Sequence, residues 1–260
     1  MRSTGGWPDH FSTAASGYAR YRPRYPASLF DALAAHAPAR GLAWDCATGT
    51  GQAAGELAAR FGVVMATDAS ARQIFHAQRA RNTRYVVATA ELVPLASGRA
   101  DLITVAQAAH WLDLDAFYDE ARRVARADGV LALWTYDLCS VSPSLDRELG
   151  RFYRDVVGPY WPPERAHVET LYRDLPFPFD ELKVAPVAIE GRWSRSDLLG
   201  YVATWSAVKR YREASGEDPV GTWLAPRLER HWPRGEERPI RWPLGVRVGR
   251  VRRLSTRRER

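Results

Sequence analysis

The sequence predicts an α/β fold, a doubly wound and mostly parallel sheet with helices on both faces. Three observations lead there. Short apolar runs alternate with helical patterns across residues 42–136, the order that right-handed crossovers produce. The first run breaks into a small-residue turn, Asp45-Cys46-Ala47-Thr48-Gly49-Thr50-Gly51. The second run, Val63-Val64-Met65-Ala66-Thr67-Asp68, stops at an acid. A glycine turn after one strand and a carboxylate at the tip of the next are the layout of a nucleoside site on the C-terminal edge of a parallel sheet.

Taken in order, Ala27–His36 reads as a helix with Ser28 near its start. A short first strand starts at Leu42 and breaks into the turn within 42–51, and a helix begins near Gln52. Val63–Asp68 is the second strand, and 85–88 the third. Residues 101–106 form the fourth and lead into Gln107-Ala108-Ala109-His110-Trp111. Leu114, Phe117, Tyr118, Ala121, Val124 and Ala125 recur at helical spacing over 114–126. Asp128-Gly129 marks a turn before the fifth strand, 130–136. A helix over 145–157 is then broken by Pro159-Tyr160-Trp161-Pro162-Pro163, and 168–174 reads as another. This aromatic, proline-rich stretch, 142–180, is expected to insert between the fifth and sixth strands as a lid and pocket wall above the sheet edge. Residues 182–189 form the sixth strand, where Pro186 points to a bulge or an edge. A helix over 196–211 and a seventh strand over 240–251 complete a seven-stranded sheet.

The turn also limits the ligand. Gly49 and Gly51 let the backbone pass close to a bound molecule with no Cβ in the way. Asp45 stands where a pyrophosphate would run in a dinucleotide site, and anion beside anion is unfavourable. An acid there suits a cationic, phosphate-free nucleoside. S-adenosylmethionine has an ammonium, a sulfonium and free ribose hydroxyls, and Asp68 is placed to accept from those hydroxyls, with Ala69 beside it.

Four segments carry a resemblance to a known family. They are Trp44-Asp45-Cys46-Ala47-Thr48-Gly49-Thr50-Gly51-Gln52, Ala90-Glu91-Leu92-Val93-Pro94-Leu95, Ala106-Gln107-Ala108-Ala109-His110-Trp111 and Leu131-Ala132-Leu133-Trp134-Thr135-Tyr136. The chain resembles the class I S-adenosylmethionine-dependent methyltransferases. It is similar to their small-molecule, type 11-like branch, which includes trans-aconitate methyltransferase and other carboxylate-methylating enzymes. Phe11-Ser12, Tyr18, Tyr21-Arg22-Pro23, Tyr25-Pro26 and Thr204-Trp205-Ser206-Ala207-Val208 match that branch too. The resemblance runs from about residue 11 to about residue 250. It implies a Rossmann-like sheet whose last strand is antiparallel. It also implies a methyl transfer that leaves S-adenosylhomocysteine as product. The first small residue of the turn, usually glycine in this class, is Ala47, and alanine fits if its φ stays negative.

The same likeness distributes roles. Ala90 or Glu91 meets the adenine amino group, and Gln107 lies beside the sulfonium. His110 is the candidate base, though it could equally bind substrate or simply pack on Trp111. Tyr18 and Arg22, in an N-terminal segment (1–26) expected to fold over the cofactor, could close on its carboxylate or bind an acidic substrate. Tyr21, Trp111, Trp161 and Trp205 are candidate pocket residues, with ordinary packing as the alternative. The acceptor is expected to be a small molecule, with a carboxylate oxygen one option.

Composition sets bounds. At 260 residues the chain is read as one domain with an appended lid. No run of 18 apolar residues and no signal peptide is visible, and two cysteines without nearby ligand partners read as reduced thiols of a cytoplasmic protein. The histidines have no metal spacing. The net charge of +7 comes almost wholly from arginine, since Lys183 and Lys209 are the sole lysines. These charges are dispersed apart from the run at 247–260, read as a solvated tail with polyanion binding as the alternative. Nucleic-acid methylation is a second reading, opposed by the lack of a proline-aromatic motif after Gln107. A cofactor-binding protein without catalysis is a third.

Overall fold

The computed structural model describes residues 21–252. Tyr18, Phe11-Ser12 and the end of the basic tail therefore lie outside the described residues. The chain forms two compact units. One holds Pro23–Val141, Pro162–Arg192 and residues 239–252. The other holds Tyr21, Arg22, Ser142–Trp161 and Trp193–Arg238.

The first unit contains the sheet, apart from Trp193, Ser194, Glu237 and Arg238 at strand ends. Its strands are β1 (Leu42–Cys46), β2 (Val63–Asp68), β3 (Thr83–Val87), β4 (Ala100–Ala106), β5 (Ala125–Tyr136), β6 (Asp180–Glu181), β7 (Ala188–Ser194) and β8 (Glu237–Arg250). They lie in the order β3-β2-β1-β4-β5-β8-β6, and β7 also pairs with β8. β1 to β5 run parallel, and β8 is antiparallel to β5 and β6. β1, β4 and the latter part of β5 are buried almost throughout, which is why they read as continuous apolar runs rather than alternating ones. Strand order reverses between β1 and β4. In open α/β sheets such a switch point opens a crevice at the strand ends.

Helices α1 (Ala27–His36), α2 (Gln52–Ala58), α3 (Ala71–Phe75) and α4 (Leu114–Val124) belong to this unit, and α5 (Pro143–Arg151) to the other. In α1, Leu29, Phe30, Leu33 and Ala34 are buried. Phe30 and Tyr25 meet Trp134 of β5 edge-on, with ring centroids 5.8 and 5.5 Å away. In α4, Asp113 caps the start by accepting from Ala116 N, and Phe117, Tyr118, Ala121 and Val124 are buried. That is one apolar face at helical spacing.

Several expectations change in detail. The turn expected at Asp128-Gly129 lies within β5, and the helix expected over 145–157 is α5 followed by a widened turn over Phe152–Val156. The sixth strand, expected over 182–189, is split into β6 and β7 around Pro186, which has no N–H to give a ladder. The sheet of the described residues thus has eight strands, not seven. The helix expected over 168–174 is α6 (Arg165–Glu169) instead, because Leu171 and Tyr172 adopt φ of 55° and 61° and stop it. The single helix expected over 196–211 is two, α7 (Arg195–Ala203) and α8 (Ser206–Ser215). Trp205 between them is extended, at φ −66° and ψ 138°.

The insertion expected over 142–180 divides between the units. Phe152 and Trp161 find ring partners in Trp205, at 6.3 and 5.6 Å. Phe177 and Phe179 instead pack on Tyr118 of α4, at 6.4 and 5.0 Å. Among the described residues no helix is long and apolar enough to cross a membrane.

β1 is anchored at its start by a side chain of β4. Asp101, 1% exposed, accepts from the backbone N–H groups of Gly41 (2.8 Å) and Leu42 (2.9 Å) and from Arg126 (3.0 Å). Asp101→Ala would leave both amides unpaired and is expected to cost about 2–5 kcal/mol, read as a lowered urea midpoint. A midpoint within experimental error of wild type would show that the anchor is dispensable.

Candidate active site

The register of β1 on β2 pairs Asp45 with Ala66, so Asp68 lies two residues further along the same face. Both acids hold the turn that follows β1. Asp45 is fully buried. Its Oδ2 accepts from Thr48 Oγ1 (2.5 Å) and its Oδ1 from Thr104 Oγ1 of β4 (2.8 Å). Burial pushes its carboxyl up to about 6, and the Asp68 charge adds to this. The Thr48 and Thr104 hydroxyls and the Ala54 N–H hold it down from a higher value. Asp68, half-buried, accepts from Gly49 N and Ser70 N, both at 2.8 Å. One carboxylate grips the turn from beneath and the other from the side.

Gly49 and Gly51 adopt φ of 57° and 85°. A Cβ at Gly49 would meet nothing within 4 Å, so open space lies over the turn there. A Cβ at Gly51 would sit 2.4 Å from Tyr85 Oη, which is pinned by donating to Gln78 O (2.6 Å). Ala47 departs from expectation. Its φ is 53°, not negative. A left-handed alanine costs roughly 1–2 kcal/mol. The bonds from Thr48 to Asp45 and from Gly49 to Asp68 hold the turn around it.

β3 joins this edge through Ala88 N, which donates to the Asp68 carbonyl (3.1 Å). Ala90 is buried, Glu91 half-buried and Ala69 exposed. The loop beyond Glu91 is clamped from α4. Glu120 accepts from Val93 N (2.8 Å), and Arg123 donates to the carbonyls of Val93 (3.1 Å) and Leu95 (2.8 Å) while pairing with Glu120.

At the ends of β4 and β5 a second polar group forms. Gln107 is left-handed, with φ 56°. Its Nε2 donates to Tyr136 O (3.0 Å) and its Oε1 accepts from Thr135 Oγ1 (2.6 Å). His110 sits in the turn Ala109–Trp111, its ring 4.8 Å from that of Trp111. Its Nδ1 is 2.7 Å from Tyr172 Oη. Burial, with the Arg165 and His167 charges, pushes the imidazole down to about 3, so it is neutral at pH 7. Arg165 pairs with Asp137 at 2.5 Å. Burial raises the Asp137 carboxyl in spite of that partner.

The remaining candidates belong to the second unit. Arg22 lies over the Tyr201 ring at 5.9 Å, and Gly200 leaves room for the Tyr21 ring. Trp161 and Trp205 share Tyr153, at 5.0 and 5.8 Å. So Asp45, Ala47, Gly49, Gly51, Asp68, Ala69, Ala90 and Glu91 share the β1–β3 tips. Gln107, His110 and Trp111 share the β4–β5 tips. Tyr21, Arg22, Trp161 and Trp205 are in the other unit. Among the described residues no group of three or more His, Cys, Asp or Glu could hold a metal ion.

Sequence reasoning missed Thr48, Thr104, Thr135, Arg165 and Tyr172. Thr48 had a signal, three residues after an acid. Tyr172 had none, being 62 positions from His110 in a stretch expected to form a lid.

Known proteins resemble the chain along most of its length. A family model described as a methyltransferase domain matches residues 44–133. A protein of Dictyostelium discoideum named as a methyltransferase is 33% identical over 214 residues, 81% of each chain. The chain belongs to the S-adenosylmethionine-dependent methyltransferases. The solved structure of a type II methyltransferase from Anaeromyxobacter dehalogenans is 45% identical, with a TM-score of 0.83 over 88% of this methyltransferase and 98% of that one. A malonyl-[acyl-carrier protein] O-methyltransferase of Laribacter hongkongensis is 34% identical over 141 residues, 48% of this chain and 45% of its own. The residues fit the cofactor that the family uses. The turn has open space above Gly49, and the two acids at its base suit a cation and repel a phosphate.

Asp45 makes the stability of this methyltransferase depend on pH. Its ordinary value is 3.8, against about 6 when folded. Between pH 4 and 6 the folded chain therefore binds more protons at this site than the unfolded chain. The contribution of Asp45 falls as pH rises through that window, by on the order of 3 kcal/mol. Asp45→Asn is expected to remove that part of the slope in urea denaturation at successive pH values. A slope identical to wild type would show that Asp45 is not the titrating group.

Proposed function

We propose that this methyltransferase acts on a small molecule and delivers the methyl group to a carboxylate oxygen. Bound S-adenosylmethionine supplies a methyl carbon already activated by its positive sulfur. The protein's task is then to hold and orient the two reactants, which can contribute roughly 7–11 kcal/mol.

In this reading Asp68 accepts from the ribose hydroxyls, keeping its bonds to Gly49 N and Ser70 N, since each carboxylate oxygen has two lone pairs. Asp45 acts through the turn, because it is fully buried with Thr48 and Thr104 on its oxygens. Gly49 and Gly51 let the backbone approach the methionyl end, with Ala47 and Ala69 alongside. Ala90 and Glu91 border the adenine, on a loop that Glu120 and Arg123 hold rigid. Gln107 presents its backbone, because its side chain is spent on β5.

One observation carries the choice of acceptor. His110, the candidate base, is neutral and too weakly basic at neutral pH to take a proton from an alcohol, phenol or ammonium group. A carboxylate needs no such help, because it arrives ionised. The Arg165 charge near His110 also favours an anion. The malonyl-[acyl-carrier protein] O-methyltransferase among the relatives is support of the same kind. A small acceptor and a cytoplasmic setting remain parts of this proposal.

The test is transfer of labelled methyl from S-adenosylmethionine to a panel of mono- and dicarboxylic acids, phenols, alcohols, amines and mixed RNA. Base-labile methyl esters on one or more acids are expected. Label found solely on amines, phenols or RNA would contradict the carboxylate reading. Binding of S-adenosylhomocysteine with no transfer to any class would favour a catalytically silent protein.

A further inference from the structure

Tyr172 is held in place at some expense. It and Leu171 are consecutive left-handed residues, with φ of 61° and 55°. For bulky side chains that backbone is an outlier, and such strain persists where the surroundings over-determine it. Here they do. Arg247 donates to the carbonyls of Tyr172 (3.3 Å) and Leu175 (2.6 Å), pairs with Glu181 and lies 4.7 Å over the Phe177 ring. Gly245 of β8 lets Leu171 come close; a Cβ there would be 2.5 Å from Leu171 O and from its Cβ. The result is a fully buried phenol whose hydroxyl ends 2.7 Å from His110 Nδ1.

The proton between those two atoms can be assigned from the neighbours. Gln107 Nε2 donates to Tyr136 O, so its Oε1 faces Thr135 and takes the Thr135 proton. Nδ1 lies at hydrogen-bond distance from the phenol oxygen, and of this pair the phenol is the stronger donor. The phenol has one proton of its own, and imidazole nitrogen is the stronger acceptor within reach. Nδ1 therefore accepts, and the ring proton resides on Nε2. Among the described residues Nε2 has no hydrogen-bond partner, and His110 is half-buried.

We propose that Tyr172 is a positioning residue that locks His110 as its Nε2–H tautomer, making His110 a hydrogen-bond donor to the acceptor's carboxylate rather than a base. The second half rests on the carboxylate reading above; the tautomer does not. The facing charged and titratable groups are Arg165, His167, Asp137 and Tyr172 itself. A donor at Nε2 would hold the carboxylate oxygen that is not methylated, fixing which oxygen meets the methyl carbon. No proton moves at His110 in such a step.

The experiment is a long-range proton–nitrogen correlation spectrum of the full chain with labelled histidine, His110 being assigned by its loss in His110→Gln. Wild type is expected to give the Nε2–H pattern unchanged from pH 5 to 8. Tyr172→Phe, with its fold checked by circular dichroism, is expected to give a mixture of tautomers. On whichever carboxylic acid the panel identifies, Tyr172→Phe is expected to raise KM by up to about tenfold, the weight of one hydrogen bond, with a smaller change in kcat. An Nδ1–H pattern in wild type, or a Tyr172→Phe spectrum equal to wild type, overturns the proposal. If Tyr172→Phe does not fold, the wild-type spectrum decides alone. A wild-type Nε2–H pattern together with methyl transfer solely to phenols or amines would sink the carboxylate reading and leave the tautomer lock standing.

Discussion

A buried carboxylate at the tip of the first strand organises this protein. Asp45 has no solvent exposure, yet it collects the hydroxyls of Thr48 and Thr104. The first bond sets the turn that follows β1, and the second ties β1 to β4 across the point where strand order reverses. Desolvating a carboxylate is costly unless such partners answer it. Its raised pKa records that the compensation is incomplete. The open space over Gly49 and the position of Asp68 beside it follow from where this one group sits.

Strain gathers around the same edge. Four of the five non-glycine residues with left-handed backbones among the described residues are Ala47, Gln107, Leu171 and Tyr172; the fifth, Asp128, lies near the start of β5. Three of these four are held by bonds to different parts of the first unit: Ala47 between Asp45 and Asp68, Gln107 by β5, Tyr172 by Arg247 of β8. Backbone held in sparsely populated regions concentrates where function requires a fixed geometry. The grouping of these four residues at the C-terminal ends of the strands or against them agrees with the chemistry assigned there.

The sheet was legible because its central strands are apolar on both faces and end in polar turns. Val63–Asp68 agrees with the observed strand residue for residue, and the first strand starts at Leu42 as read. The glycine turn and its two acids were legible for the same local reason. What could not be read was contact between distant segments. Thr104 lies 59 positions from the carboxylate it serves. The aromatic stretch after Ser142 looked uniform in composition, yet Phe152 and Trp161 pack with Trp205 while Phe177 and Phe179 pack on α4. The sign of φ at Ala47 was hidden as well, because tertiary bonds and not the residue's own preference decide it.

The decisive measurement is an electron-density map from crystals grown with S-adenosylhomocysteine. The ribose is expected within hydrogen-bonding distance of the Asp68 carboxylate, with the amino-acid end over the Gly49–Gly51 backbone. An adenosine lodged away from the ends of β1 and β2 would contradict the claim that the two acids and the turn between them form the cofactor site.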